Sequence, residues 1–251
     1  QISKPANNTP GPTPASNNTS GISPWVMDII NAKKPWTDKD FPPNDSSLYH
    51  TGGQLEKHPY IWKRVADILG ANPVLFENGI EPNDIKQGDL GDCWFLSAVA
   101  GCAQYPKLIE DVFITKEYNA AGIYELRFFI AGKETRVVID DFIPCRRFGH
   151  VAFSRNSGKE FWVMLIEKAY AKIHGSYSRL FGGGSVAAFE DLTGLPTANL
   201  FIFTEKERAN GALFKKLEQW TSMGYLVTAS STNMSQLKNG LVPSHVYSLL
   251  L

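Results

Sequence analysis

One short stretch, residues 87–98 with the sequence QGDLGDCWFLSA, places a cysteine where a glycine-rich turn becomes a helix. Apolar side chains recur at helical spacing after it, which predicts a helix with one buried face from residue 92 to about residue 104. Asp92 is a suitable N-cap. Cys93 then lies beside unpaired backbone N–H groups and the positive end of the helix dipole, and both stabilise a thiolate. Cys93 is therefore a candidate nucleophile, and the alternative is a small buried hydrophobic residue.

A cysteine nucleophile needs a base, usually histidine, to take its proton and later to protonate the leaving group. Of the five histidines, His245 differs because it lies at the start of an apolar strand, in the sequence GLVPSHVYSLL. A histidine that enters a strand can project from a sheet edge into a cleft, although a purely structural histidine is the other interpretation. A cysteine on a helix and a histidine on a strand about 150 residues later is the arrangement of papain-like thiol proteases.

Composition excludes several classes of protein. The 251 residues are 43% hydrophobic, which is typical of globular domains. Lys plus Arg and Asp plus Glu number 25 each, which argues against a nucleic-acid binder held by bulk charge. Three cysteines without a CxxC pair argue against a disulfide framework or a structural zinc site, and reduced thiols predict a cytoplasmic protein. No apolar run approaches the length of a membrane span, so no integral membrane segment is predicted.

Composition also divides the chain into four parts. Residues 1–21 are rich in Pro, Asn, Thr and Ser, which predicts a disordered, low-complexity tail. Residues 22–55 are predicted to be an extended segment whose aromatic side chains pack on the core. Residues 56–195 are predicted to form a mostly helical subdomain, and residues 196–251 the start of a β-rich second subdomain. The predicted fold class is therefore α+β.

Periodicity predicts the individual elements. The clearest is a helix over residues 159–174 with one apolar stripe, ended by Gly175. The other predicted elements are short helices near 24–32, within 58–70 and at 107–112, a β-hairpin over 122–131 and 134–141, a helix over 206–223, and strands over 198–203, 225–230 and 246–251.

Two blocks of this sequence resemble the calpain family of cysteine proteases. QGDLGDCW at residues 87–94 is similar to the active-site signature of that family, and GLVPSHVYS at residues 240–248 is similar to its histidine block. The resemblance covers nearly everything from about Trp36 to the end of the chain. Further blocks follow in the family's order: DFPPNDSSL at 40–48, VIDDFIP at 138–144, EKAYAK at 167–172 and FEDLTG at 189–194.

The resemblance implies a papain-like cysteine protease fold, with a helical cysteine lobe and an incomplete β-rich histidine lobe, and an endopeptidase that acts on protein substrates. Cys93 would attack the peptide carbonyl carbon and form an acyl-enzyme, and His245 would act as base and then as acid. Gln87 would donate its side-chain amide to the oxyanion together with the Cys93 backbone N–H. From the residues alone Gln87 carries little signal, because a glutamine before a turn is usually on the surface.

The resemblance also implies a calcium site in the cysteine lobe and further calpain-type domains in the parent chain. The positions that correspond to the family's calcium ligands are the backbone carbonyls of Glu77 and Gly79 and the side chains of Asp84 and Glu160. Oxygen-only ligands suit a hard cation such as calcium. The alternative is that Asp84 and Glu160 are ordinary caps or solvated charges.

The chain departs from the family pattern in two respects. It ends six residues after His245, before the position of the family's catalytic asparagine, so we expect an unfinished second lobe with little activity alone. Asn233 and Asn239 precede the histidine and are not substitutes. Ser244 and Val246 also stand where the family usually has glycine and alanine. The competing hypothesis is therefore a binding or scaffolding module that keeps the protease fold without its chemistry.

Overall fold

The computed structural model describes residues 21–71, 73–199, 204–231, 233 and 240–250. Its mixed helix and strand content agrees with the predicted α+β class. The helices are α1 (Pro24–Ala32), α2 (Asp45–Leu48), α3 (Val65–Leu69), α4 (Cys93–Ala103), α5 (Pro106–Glu110), α6 (Trp162–His174), α7 (Ser185–Thr193), α8 (Glu205–Ala209) and α9 (Ala212–Ser222). The strands are β1 (Ile61–Arg64), β2 (Ile85–Lys86), β3 (Ile123–Ile130), β4 (Lys133–Asp140), β5 (Phe142–Cys145), β6 (Arg155–Asn156), β7 (Val227–Ser230) and β8 (Val246–Leu249). No helix in these ranges is long and apolar enough to cross a bilayer.

Helix α4 lies in the main hydrophobic core and is buried along almost its whole length. The single buried face predicted for it is therefore wrong. Because its side chains are apolar or small on every side, it must be covered on every side. Helices α5 and α7 and strands β7 and β8 contact it, and the Phe95 ring stacks on Tyr170 of α6 with 4.1 Å between ring centroids.

The described strands pair two by two, all antiparallel: β1 with β5, β2 with β6, β3 with β4, and β7 with β8. The predicted hairpin is confirmed, with Ile123 opposite Asp140 and Ile130 opposite Lys133, although its turn lies one residue earlier than predicted because Lys133 belongs to β4. Ala131 and Gly132 form its turn with φ of 51° and 73°, the left-handed geometry that a two-residue hairpin turn requires. The hairpin packs β3 against α7 and β4 against α6.

Phe41, Leu48 and Leu55 of residues 22–55 are buried in the main hydrophobic core. The short helix predicted near 24–32 is confirmed as α1, and α2 is a second helix in this range. Val26 of α1 is fully buried in a small cluster with Ala121 and Ile123. Asn44 caps α2 by accepting a hydrogen bond from the Ser46 N–H. The predicted tail lies outside the described residues except for its last member.

Two other predicted segments differ in detail. The helix predicted over 206–223 is divided into α8 and α9, because Gly211 adopts a φ of 75° that an α-helix cannot contain. Residues 58–70 include the predicted helical stretch, which is α3 with Gly70 as its C-cap, and also strand β1 directly before it, which was not predicted. The strand predicted over 198–203 falls largely outside the described residues.

Candidate active site

Cys93 is the first residue of α4, and it is partly exposed whereas Cys102 and Cys145 are buried. Its backbone N–H donates no hydrogen bond within the described ranges, as expected in a first helical turn. Asp92 occupies the predicted N-cap position, but its side chain makes no capping hydrogen bond. The carboxyl of Asp92 is instead buried against Glu167 of α6. The thiol therefore lies at an accessible helix N-terminus, and the Asp92 side chain does not cover it.

The glycine turn before Cys93 is fixed by close packing. A Cβ at Gly88 would come within 2.2 Å of the Phe153 carbonyl oxygen, and a Cβ at Gly91 within 2.8 Å of the Phe181 ring. Glycine is required at position 88, because the neighbouring atom belongs to the backbone, whereas a side chain at position 91 would displace the exposed Phe181 ring.

Residues 182–184 cover the other side of this turn. The Gly182 N–H donates to the Gly91 carbonyl at 2.9 Å. A Cβ at Gly183 would lie 2.4 Å from the Trp94 indole, whose Nε1 donates to the Leu180 carbonyl at 2.8 Å. The first turn of α4 is therefore held by main-chain contacts from both flanks.

Gln87 lies on an exposed part of the same turn. Its side-chain Nε2 donates to the Leu90 carbonyl at 2.9 Å, which directs the amide across the turn. Because a primary amide carries two N–H groups, one of them makes no hydrogen bond with the described residues.

Strand β8 joins the segment that carries His245 to helix α4. The Ser97 Oγ donates to the carbonyl of Val246, the next residue after the histidine, at 2.8 Å. The Ser248 Oγ donates in return to the Ser97 carbonyl at 2.8 Å. Ser97 lies one helical turn after Cys93 on the same face of α4. The histidine segment is thus tied to the cysteine helix near its N-terminus.

His245 is partly exposed, and its ring lies edge-on to Tyr247 with 4.8 Å between centroids. Ser231 fixes its backbone: the His245 N–H donates to the Ser231 Oγ at 2.9 Å, and the His245 carbonyl accepts from the Ser231 N–H at 2.8 Å. In the part of the chain that the structure describes, no hydrogen bond joins the imidazole to the Cys93 thiol. The two segments meet on one helix face, but the contact needed for proton transfer is not formed.

The residues predicted to bind calcium gather where the chain enters α6. Glu160 is buried, and its Oε2 accepts a hydrogen bond from the Glu77 N–H at 3.1 Å. Burial, followed by the nearby charges of Asp84 and Glu77, raises the pKa of Glu160 to about 7. The carbonyls of Glu77 and Gly79 accept no hydrogen bond from other described residues.

Asp84 is partly engaged, because its Oδ2 accepts a hydrogen bond from the Glu81 N–H at 2.7 Å. Within the described ranges, no group of three or more His, Cys, Asp and Glu side chains is close enough to share a metal ion. A calcium site here would therefore depend on the carboxylates of Asp84 and Glu160 together with backbone carbonyls.

Sequence analysis missed the carboxyl pair formed by Asp92 and Glu167. Burial raises the pKa of Asp92 to about 7, and burial together with the Asp92 charge raises the pKa of Glu167 well above its usual value. The available signal was a charged residue on the apolar stripe of α6, in register with Val163 and Tyr170.

Comparison with known proteins identifies the family. The family described as calpain family cysteine protease matches residues 36–251. The chain belongs to the calpain family of cysteine proteases. The resemblance found from the sequence motifs, which begins at about Trp36, is thereby confirmed.

Named relatives agree with this family assignment. This calpain chain is 41% identical over 242 residues to the calpain-type cysteine protease DEK1 of Arabidopsis thaliana, an alignment that covers 90% of the chain and 11% of that protein. It is 38% identical over 237 residues to the calpain-type cysteine protease ADL1 of Oryza sativa subsp. japonica, covering 88% of the chain and 11% of the relative. It is 37% identical over 225 residues to calpain clp-4 of Caenorhabditis elegans, covering 88% and 31%. The calpain chain thus spans less than a third of the length of each of these relatives.

Proposed function

We propose that this calpain-family chain is the papain-like protease core of a calcium-dependent cysteine endopeptidase, which acts in the cytoplasm on accessible, extended segments of proteins. One observation carries the proposal. The partly exposed Cys93 and the segment of His245 meet on one face of α4, joined through Ser97 and Ser248.

In the proposed mechanism, the Cys93 thiolate attacks the carbonyl carbon of the scissile peptide bond. His245 accepts the thiol proton and then donates a proton to the departing amine, which leaves an acyl-enzyme on Cys93. A water molecule, deprotonated by His245, releases the acyl product. The Cys93 N–H and the Gln87 side-chain amide donate to the oxyanion of each tetrahedral intermediate. One such donor typically contributes about 100- to 1000-fold in rate.

The state of the thiols supports the proposed compartment. All three cysteines are free, and none forms a disulfide. Free thiols persist in reducing compartments such as the cytoplasm.

A second candidate is the binding or scaffolding module. The observation that favours it is the lack of a hydrogen bond between the Cys93 thiol and the His245 imidazole in the described structure. Catalytic hydrogen bonds are often long or unformed without substrate, which is compatible with the enzyme. The two candidates predict different reactivity for Cys93.

A peptidyl epoxide, which alkylates activated thiolates, separates the two candidates. Applied to the full-length protein with millimolar calcium, it should modify Cys93 far faster than it modifies a free cysteine derivative, because the helix N-terminus and His245 stabilise the thiolate. Mass spectrometry of the Cys93 peptide measures the rate, and the buried Cys102 and Cys145 serve as internal controls. A Cys93 rate no higher than that of the free thiol, with the protein folded, would favour the scaffolding module.

The residues around Glu160 fit the proposed calcium ion. Its carboxylate is buried beside Asp84 and Glu77, and within the described ranges none of these three acidic groups forms an ion pair with Lys or Arg. Asp84, Glu160 and the carbonyls of Glu77 and Gly79 would hold the cation. A bound calcium would neutralise these charges and join the loop of residues 77–84 to the start of α6.

Calcium affinity is expected to fall as the pH is lowered through about 7, by up to about tenfold per pH unit, because binding requires ionised Glu160. Titration calorimetry of the full-length protein at several pH values measures this slope. The variant Glu160→Gln should lose this pH-dependent calcium binding. Glu207→Gln is a matched control, since that partly exposed glutamate has a lowered pKa and lies on α8. An unchanged calcium isotherm in Glu160→Gln would contradict the proposed site.

A further inference from the structure

Two buried acidic side chains beside the proposed nucleophile have no role in the mechanism above. Asp92 is 0% exposed and Glu167 is 2% exposed. Neither forms an ion pair with a described Lys, Arg or His. Both carboxyl oxygens of Asp92 receive no hydrogen bond from any donor in the described structure, and the group that they meet is the Glu167 carboxyl.

Glu167 is held in place from its other side. The Ser154 N–H donates to both Glu167 oxygens, at 3.0 and 3.2 Å. The Ser154 Oγ donates at 3.4 Å to the carbonyl of Val163, one turn earlier on α6. Two ionised carboxylates in contact repel each other, and each is costly to bury without a cation. A single proton between them removes one charge and supplies the missing donor.

We propose that Asp92 and Glu167 share one proton at neutral pH, and that this pair is the positioning element for Cys93. The pair ties the residue at the start of α4 to α6 and keeps the Asp92 carboxyl away from the first-turn N–H groups. The Cys93 N–H is thereby left free for an oxyanion. Because the proton is shared, the pair places one negative charge beside the thiolate instead of two. This inference rests on the proposed role of Cys93.

Other titratable groups surround the pair. Tyr177 lies within range of both carboxyls, and burial raises its pKa well above the usual value, with the charges of Glu167, Asp140 and Asp92 as further causes. Asp140 is neutralised by its ion pair with Lys168, whose own pKa is lowered by burial. Burial also raises the pKa of Cys145 to about 11. Tyr177 and Cys145 therefore stay neutral while the carboxyl pair titrates.

The sign of the pH effect follows from the raised pKa values. Protonated carboxyls are favoured in the folded state, so the pair's contribution to stability is complete in acid and is lost as the pH rises through the folded-state pKa values, which burial raises for both residues and, for Asp92, to about 7. Above that range a second negative charge remains in the interior beside Cys93. Both the position of the turn and the thiolate form of the nucleophile are then disfavoured.

The variants Asp92→Asn and Glu167→Gln test the shared proton, because an amide donates the same hydrogen bond without titrating. In the full-length protein we expect both to fold and to remain active near neutral pH. On the alkaline side of the pH profile, the fall in kcat/KM should occur about one pH unit higher than in the unmodified protein. At a fixed pH on that side, this shift corresponds to a tenfold higher rate. Iodoacetamide alkylation of Cys93 should also be faster in both variants at alkaline pH, by up to about tenfold.

Two further variants serve as controls. Asp191→Asn removes a half-buried carboxyl of raised pKa that accepts a hydrogen bond from Tyr170, away from Cys93, and its pH profile should match that of the unmodified protein. Asp92→Ala leaves Glu167 without its partner and should lower both stability and Cys93 reactivity at all pH values. Parallel pH profiles for the unmodified protein and both amide variants would overturn the proposal, as would failure of both amide variants to fold. The alkylation profile reports on the pair even if no variant hydrolyses peptides, so failure of the inference is distinguishable from failure of the proposed function.

Discussion

Replacing Cys93 with alanine is expected to lower kcat/KM for peptide hydrolysis by roughly four to six orders of magnitude. No other described thiol is partly exposed at a helix N-terminus, so nothing else can form the acyl-enzyme in its place. The folded structure should change little, because the side chain is not part of the buried core. Hydrolysis of a fluorogenic peptide by the purified full-length protein measures the effect, and a thermal unfolding curve tests the fold.

Cys102→Ala is the matched control for this experiment. Cys102 lies on the same helix, but it is fully buried, and burial raises the pKa of its thiol to about 12. Its loss should leave kcat/KM within about threefold of the original while lowering stability modestly, because a small cavity is created. Residual hydrolysis in Cys93→Ala that a thiol-reactive epoxide still blocks would mean that a different residue is the nucleophile.

The second large effect is expected on stability, when Lys168 is replaced by methionine. Lys168 and Asp140 form an ion pair in which both side chains are fully buried. The Lys168 Nζ also donates to the Phe142 carbonyl at 2.6 Å, and it lies over the Trp62 ring. Lys168→Met keeps most of the volume but leaves Asp140 without its cation. The free energy of unfolding in urea is therefore expected to fall by about 3 to 5 kcal/mol.

Lys107→Met provides the comparison at the surface. Lys107 pairs with Asp111 one turn along the chain, and 68% of the Lys107 side chain is exposed. Removal of that pair should cost no more than about 0.5 kcal/mol. Adding Asp140→Asn to Lys168→Met should recover part of the lost stability, because the uncompensated charge disappears. A loss below about 1 kcal/mol in Lys168→Met would show that the buried charge of Asp140 finds another partner.

Local patterns predicted the elements whose determinants are close together in the chain. The β3–β4 hairpin follows from two alternating segments around a two-residue turn, and the end of α6 follows from Gly175, which adopts φ of 94°. The start of α4 at Cys93 follows from the glycine turn before it. These features are read from neighbouring residues, because backbone conformation at turns and caps depends on local sterics and hydrogen bonding.

Long-range contacts could not be predicted in the same way. The pairing of β1 with β5 joins Ile61 to Cys145, and no local pattern specifies that partner. The partner depends on how distant segments share burial, which propensity and periodicity do not report. The break in the helix predicted over 206–223 has a local cause instead, because Gly211 adopts a φ of 75°.

The sequence by itself determined the family and the residue types of the proposed chemistry: a thiol at a helix N-terminus, a histidine entering a strand and a glutamine before the turn. Only the tertiary structure decided how these groups are supported. In it, strand β8 is hydrogen-bonded to α4 through Ser97, and the Asp92 carboxyl contacts Glu167 instead of capping α4. The reason is physical: a motif specifies which groups are present, but the orientation and charge of a buried group depend on the side chains that folding brings around it.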